Sequence, residues 1–88
     1  MAATRKARVA TKTYDAEADV MYVSIGGPRR AIGREPQEDI VLRLDPQTEE
    51  LVGLTILHWQ ERFGGSMEAV REALQHLLPE EQMELVPA

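Results

Sequence analysis

The twelve residues 14–25, YDAEADVMYVSI, hold both the clearest strand of the chain and its densest knot of carboxylates. From Val20 to Ile25 the side chains alternate between two faces. Met21, Val23 and Ile25 point one way, and Val20, Tyr22 and Ser24 point the other. Gly26, Gly27 and Pro28 end the strand, two residues free to take positive φ followed by one with φ fixed. The acids Asp15, Glu17 and Asp19 stand directly before it. They are either a metal site or the chemistry of a tight turn.

Working outward, Val9 to Tyr14 is a weak strand, with β-branched Thr11 and Thr13 around Lys12. A lysine there places it at a sheet edge. Arg30 to Glu35 returns with Ile32 as its one large apolar residue, and Gly33 suggests a bulge. Asp39 to Asp45 sets Ile40, Leu42 and Leu44 against Val41 and Arg43, and Asp45-Pro46-Gln47-Thr48 follows as a turn. In Leu51 to Leu57, alternation puts Val52, Leu54 and Ile56 on one face and Leu51, Thr55 and Leu57 opposite. Short turns between successive strands predict an antiparallel meander of four to five strands. Gly64-Gly65 separates it from a helix over 66–78, capped by Ser66, with Glu68 at its positive end and Met67, Val70, Leu74, Leu77 and Leu78 on one stripe. Pro79 stops it. The tail, 79–88, fits a short helical turn or an edge strand. The predicted fold is α+β, a single domain over 9–88 (sheet 9–58) with one C-terminal helix on one face.

At 88 residues the chain has a small core, or shares one with a second subunit. It contains no cysteine, which removes disulfides and thiolate chemistry and suits a reducing cytoplasm. No apolar run is long enough to span a bilayer, and the N-terminus lacks the apolar stretch of a signal peptide. The expected location is cytoplasmic. Charge is uneven. Arg5, Lys6, Arg8 and Lys12 face no acid within the first twelve residues, and residues 1–8 are expected to form a mobile basic arm. The remainder carries fifteen acids against six bases, which repels nucleic acid and anionic membrane.

The run Tyr14-Asp15-Ala16-Glu17-Ala18-Asp19 with Val20-Met21-Tyr22-Val23 resembles the opening of a bacterial family, the domain of unknown function 2283. Asp39-Ile40-Val41-Leu42-Arg43-Leu44-Asp45 and Leu51-Val52-Gly53-Leu54-Thr55-Ile56-Leu57 are similar to its second half. Lys12, where an apolar residue is more usual, and the segment after His58 depart from the pattern. The resemblance, over about residues 11–57, implies a small antiparallel sheet, a bacterial origin and no established activity. For some members it also implies a toxin–antitoxin-like neighbour.

The acidic knot has the D-x-E-x-D start of a calcium loop, but Val20 stands where that loop needs glycine and Gly26 where it needs a bidentate glutamate. Turn hydrogen bonding explains Asp15 and Asp19 by itself. His58 and Trp59 follow the last strand, where a pocket would gather them. However, His76 is the only other histidine, with Glu72 one helical turn before it, and the two histidines share no metal-binding spacing. Trp59 reads as a lid over the core. Neither Ser24 nor Ser66 has a nucleophile's setting. Gly26-Gly27-Pro28-Arg29-Arg30 lacks a phosphate loop's helix and lysine, and reads as a hairpin tip whose arginines aid solubility. No cofactor or small-molecule ligand is expected.

One helix covers one sheet face only. The other face, with Val20, Tyr22, Val41, Arg43 and Leu57, is too apolar for plain solvent and points to association, most simply a homodimer. The sequence therefore favours a noncatalytic interaction module, paired with itself or with a small protein, which the family resemblance implies is toxin-like. A nucleic-acid-associated regulator using the basic arm is the second reading. A metal-assisted enzyme using Asp15, Glu17, Asp19 and His58 is the third.

Overall fold

The computed structural model describes residues 10–27 and 29–87. Five strands, β1 (Ala10–Asp15), β2 (Val20–Ile25), β3 (Ile32–Gln37), β4 (Ile40–Leu44) and β5 (Leu51–Leu57), precede three short helices. These are α1 (Trp59–Phe63), α2 (Met67–Leu74) and α3 (Glu80–Met83). The class is α+β, with three helices in place of the single one expected. Among the described residues no helix is long and apolar enough to cross a membrane. The basic arm lies outside the described residues.

The strands form one antiparallel sheet in the order β1-β2-β5-β4-β3, which corrects the expected meander. A β1–β2 hairpin and a β3–β4–β5 meander are joined so that β5 lies beside β2. Burial explains the order. Every residue of β5 but Thr55 is apolar or glycine, and Leu51 through Leu54 are buried, so β5 takes the centre. β1 and β3 expose nearly every residue and take the edges. Gly26 and Gly27, at φ of 78° and 95°, turn the chain off the end of β2. The connection then passes the ends of β5 and β4 to reach β3. Arg29 fixes this crossover to the β4–β5 turn, 2.5 Å from Asp45 and 3.2 Å from Glu50. Arg29 is thus a structural clamp and not the solubilising tip of a hairpin.

Directly paired residues share a face. Met21, Val23, Ile25, Ile40, Leu42, Leu44, Leu54 and Ile56 form the core with Trp59, Phe63, Met67, Val70, Leu74 and Val86. Lys12 and Tyr14, opposite Val23 and Met21, lie at the margin of this face. One shift of register changes β5. Arg43 pairs with Gly53 but Leu44 with Leu51, leaving Val52 as an extra residue. Leu51 therefore joins the core and Val52 goes to the outer face, the reverse of simple alternation. The irregularity of β3 falls between Arg34 and Gln37, not at Gly33.

Ser66 caps α2 as expected, its Oγ accepting from the Ala69 N–H at 3.3 Å. Gly64 and Gly65 separate α1 from α2, and not the sheet from a single helix. The helix ends at Leu74, short of 78; the N–H groups of Leu77 and Leu78 still bond back to the Leu74 carbonyl in an irregular turn, and Pro79 bars any helical continuation from Leu78. His76 falls in the exposed turn beyond it. In the tail, Gln82 ties α3 to the sheet, donating to the Glu49 carbonyl at 3.0 Å and accepting from the Leu51 N–H at 3.1 Å. Arg71 donates to the carbonyls of Met83 and Val86.

Candidate functional site

Three regions have the makings of a site: the sheet end where the acidic turns meet α1, the outer sheet face, and a groove beside β3 and β4.

At the sheet end, Asp15 behaves as a turn residue, its Oδ1 accepting from the N–H groups of Glu17 (3.1 Å) and Ala18 (3.2 Å). Asp19 acts at longer range. It takes left-handed backbone at φ 56° and its carbonyl accepts the Trp59 N–H at 3.0 Å. Its carboxylate accepts from the N–H groups of Gln60 at 2.8 Å and Glu61 at 3.2 Å, and from the Tyr14 hydroxyl at 2.7 Å. His58, the residue before α1, makes no side-chain cap. A carboxylate some forty residues earlier in the chain therefore caps the helix. The Gln60 amide, with the Tyr14 hydroxyl, holds the Asp19 carboxyl below its usual range. The Tyr14 phenol, donating to that carboxylate, is raised in turn.

Asp39 mirrors Asp19. It too is left-handed, at φ 72°, directly before a strand, and its carbonyl accepts the Leu57 N–H at 2.7 Å. Its carboxylate lies 2.8 Å from Arg62 Nη1 and 3.1 Å from His58 Nδ1, with Glu38 adding a second contact to Arg62 at 3.3 Å. Arg62 lowers the Asp39 carboxyl, with His58 assisting. The structure thus brings His58 to Asp39 and Arg62, a grouping the sequence reading missed. Its signal was the matching aspartate before Val20 and before Ile40.

Chemically, this sheet end is already engaged. Asp19 and Asp39 spend their oxygens on amides, a phenol and a guanidinium. Among the described residues no three histidine, aspartate or glutamate side chains are placed to hold a metal ion together. Trp59 is buried in the core, as its reading as a lid requires.

On the outer face, Tyr22 is 45% exposed, with Val41, Thr55 and Leu57 half-buried around it and Arg43 exposed. Val20, expected in the same patch, is already buried. The register sets Tyr22 opposite Thr55 and Thr55 opposite Val41, so the three form one row across β2, β5 and β4. Gly53 and Arg43 lie one pair further along, with Val52 beneath them.

The third region is a groove of about 920 Å³ on the helix side, which the sequence reading did not anticipate. Leu42, Leu44, Leu78 and Leu85 supply apolar walls, and Glu35, Glu49, Glu50 and Glu81 border it. It exists because α2 stops at Leu74. In the turn that follows, Leu77 is exposed at the groove's lip while Leu78 packs against the core and lines the groove.

Comparison with known proteins bears out the family resemblance of the sequence. A family model described as protein of unknown function, DUF2283, matches residues 12–59. No curated protein and no solved structure matches the chain.

Proposed function

We propose that this chain, which belongs to the DUF2283 family, is a noncatalytic protein-interaction module that pairs through its outer sheet face. One observation supports the reading: the buried side chains of the packed helical segments join the core on one side, and among the described residues nothing covers the row Tyr22–Thr55–Val41 on the other. A partly exposed apolar row on central strands is a surface suited to a protein contact. A second copy is the occupant we favour, since an isologous contact needs no other gene product. A separately encoded partner would use the same residues.

The test is molar mass by light scattering across a concentration series. We expect a species of twice the 9.9 kDa chain mass that falls to the monomer in Tyr22→Glu and Val41→Glu. Tyr22 is exposed enough for its variant to fold, and circular dichroism checks that it does. A monomeric mass at every concentration, unchanged by either substitution, refutes self-association.

A further inference from the structure

The groove between the β3–β4 edge and the chain after α2 is a different surface from the outer face. Its walls are leucines: Leu42 and Leu44 from the sheet, Leu78 and Leu85 from the segments around α3, with Leu77 43% exposed at its lip. Its border carries four glutamates against one arginine, Arg34. Glu50 is paired with Arg29; Glu35, whose Oε2 accepts the Asp39 N–H at 3.3 Å, Glu49 and Glu81 pair with no cation among the described residues and set the border's field. An apolar trough with an acidic border selects an occupant with apolar anchors and positive flanks.

The shape of the edge narrows this further. An extended peptide adding to β3 needs a regular row of free backbone groups. Here the register breaks between Arg34 and Gln37, and Pro36 has no N–H to offer. An occupant must therefore be held by its side chains. A helix meets that need because it pairs its own backbone and presents anchors at i, i+3, i+4 and i+7. About 920 Å³ is at the upper end of what ligand pockets enclose, enough to take several large aliphatic side chains at once.

We propose that this groove binds a short basic amphipathic helix of a partner protein, leucine-type anchors in the trough and lysine or arginine along the glutamates. The proposal rests on the interaction-module reading but not on the outer face. Tyr22→Glu, which removes self-pairing, leaves it intact.

The experiment is fluorescence anisotropy with the full chain and three labelled probes. The first is a synthetic helix of about 14 residues, four turns, with leucines on one stripe and lysines elsewhere. The second has glutamate for every lysine, and the third is residues 1–12 of this chain, which carry Arg5, Lys6, Arg8 and Lys12. The leucine–lysine helix is expected to bind at least about tenfold more tightly than either other probe. Leu77→Asp and Glu81→Lys should each weaken it by about tenfold. Both positions are exposed, so the fold survives. Glu17→Lys, in the turn between β1 and β2, should leave it unchanged. Absence of binding, equal binding of the glutamate helix, an equal loss in Glu17→Lys, or no loss in Leu77→Asp overturns the proposal. Tighter binding of the 1–12 peptide overturns it too, by assigning the groove to the chain's own N-terminal segment.

Discussion

Gly53 offers the sharpest test of the sheet's central packing. It sits on β5 beside the extra residue Val52, between Ser24 of β2 and Arg43 of β4. A β-carbon built there would stand 2.7 Å from the Val23 carbonyl oxygen, against the 3.4 Å at which ordinary contact begins, a shortfall of about 0.7 Å. The obstacle is backbone, so no side-chain rotation relieves it. Arg43 closes the other side, with carbons at 3.5 and 3.6 Å. In Gly53→Ala either β2 and β5 must separate at their Ser24–Gly53 pairing or the bulge must twist further. Overpacking of this kind costs about 1–3 kcal/mol. Replacing glycine also narrows the unfolded ensemble, which returns about 0.4–1 kcal/mol. Taking the midpoints of the two terms, about 2 and 0.7 kcal/mol, the net expectation is a loss of about 1.3 kcal/mol, or roughly 5–10 °C in Tm for a domain of this size. Urea unfolding followed by Trp59 fluorescence, with a thermal melt by circular dichroism, measures it. A variant as stable as the parent, or more stable, would show that the β2–β5 approach is not tight and would refute the reasoning.

Two further outcomes follow from the aspartates. Tyr14→Phe removes a hydrogen bond that lowers the Asp19 carboxyl, so Asp19 should titrate at higher pH in the variant by carboxyl NMR, and an unchanged titration would show that the phenol does not bear on it. Asp45 is held at about 2, chiefly by the N–H groups of Thr48 and Gln47 and then by Arg29. A carboxyl lowered in the folded state stabilises above its unfolded value of about 3.9, and that contribution is lost as pH falls toward about 2. Asp45→Asn should therefore show a flatter decline of stability between about pH 4 and pH 2 than the parent, measured by urea unfolding at stepped pH. Equal slopes would assign the acid sensitivity to other groups.

Much of this fold is legible in the sequence because side-chain alternation is local. The parity of Met21, Val23 and Ile25, or of Ile40, Leu42 and Leu44, survives any arrangement of strands. What alternation cannot carry is which strands lie side by side. Chain order suggests β2 beside β3, whereas the apolar content of β5 on both faces demands the centre, and that is a global competition for burial. Nor can alternation reveal a bulge. Leu51-Val52 is apolar at both positions, so either residue satisfies the core, and only pairing to Leu44 decides. The end of α2 was obscured in the same way, since Leu77 and Leu78 extend the apolar stripe past the point where Pro79 forbids the helix. The groove, lined in part by Leu77 and Leu78 from the turn after α2, was hidden with it.

The acidic turns changed meaning for a related reason. Asp15 was readable as a turn residue, because its partners are two and three positions away. Asp19 and Asp39 were not, because their partners lie at the β5–α1 junction, about forty and twenty residues on. The two occupy equivalent places. Each is left-handed, each precedes a strand that flanks β5, and each gives its carbonyl to the backbone leaving β5 and its carboxylate to the first helix. β5 is the last strand to be made and must enter between β2 and β4, whose leading turns present these two aspartates. Their charge is thus consumed in seating the central strand and starting α1. Among the described residues, Glu35, Glu49 and Glu81 keep exposed carboxylates at the border of the leucine-lined groove, and it is there that, as proposed above, the chain's excess acidity selects a partner.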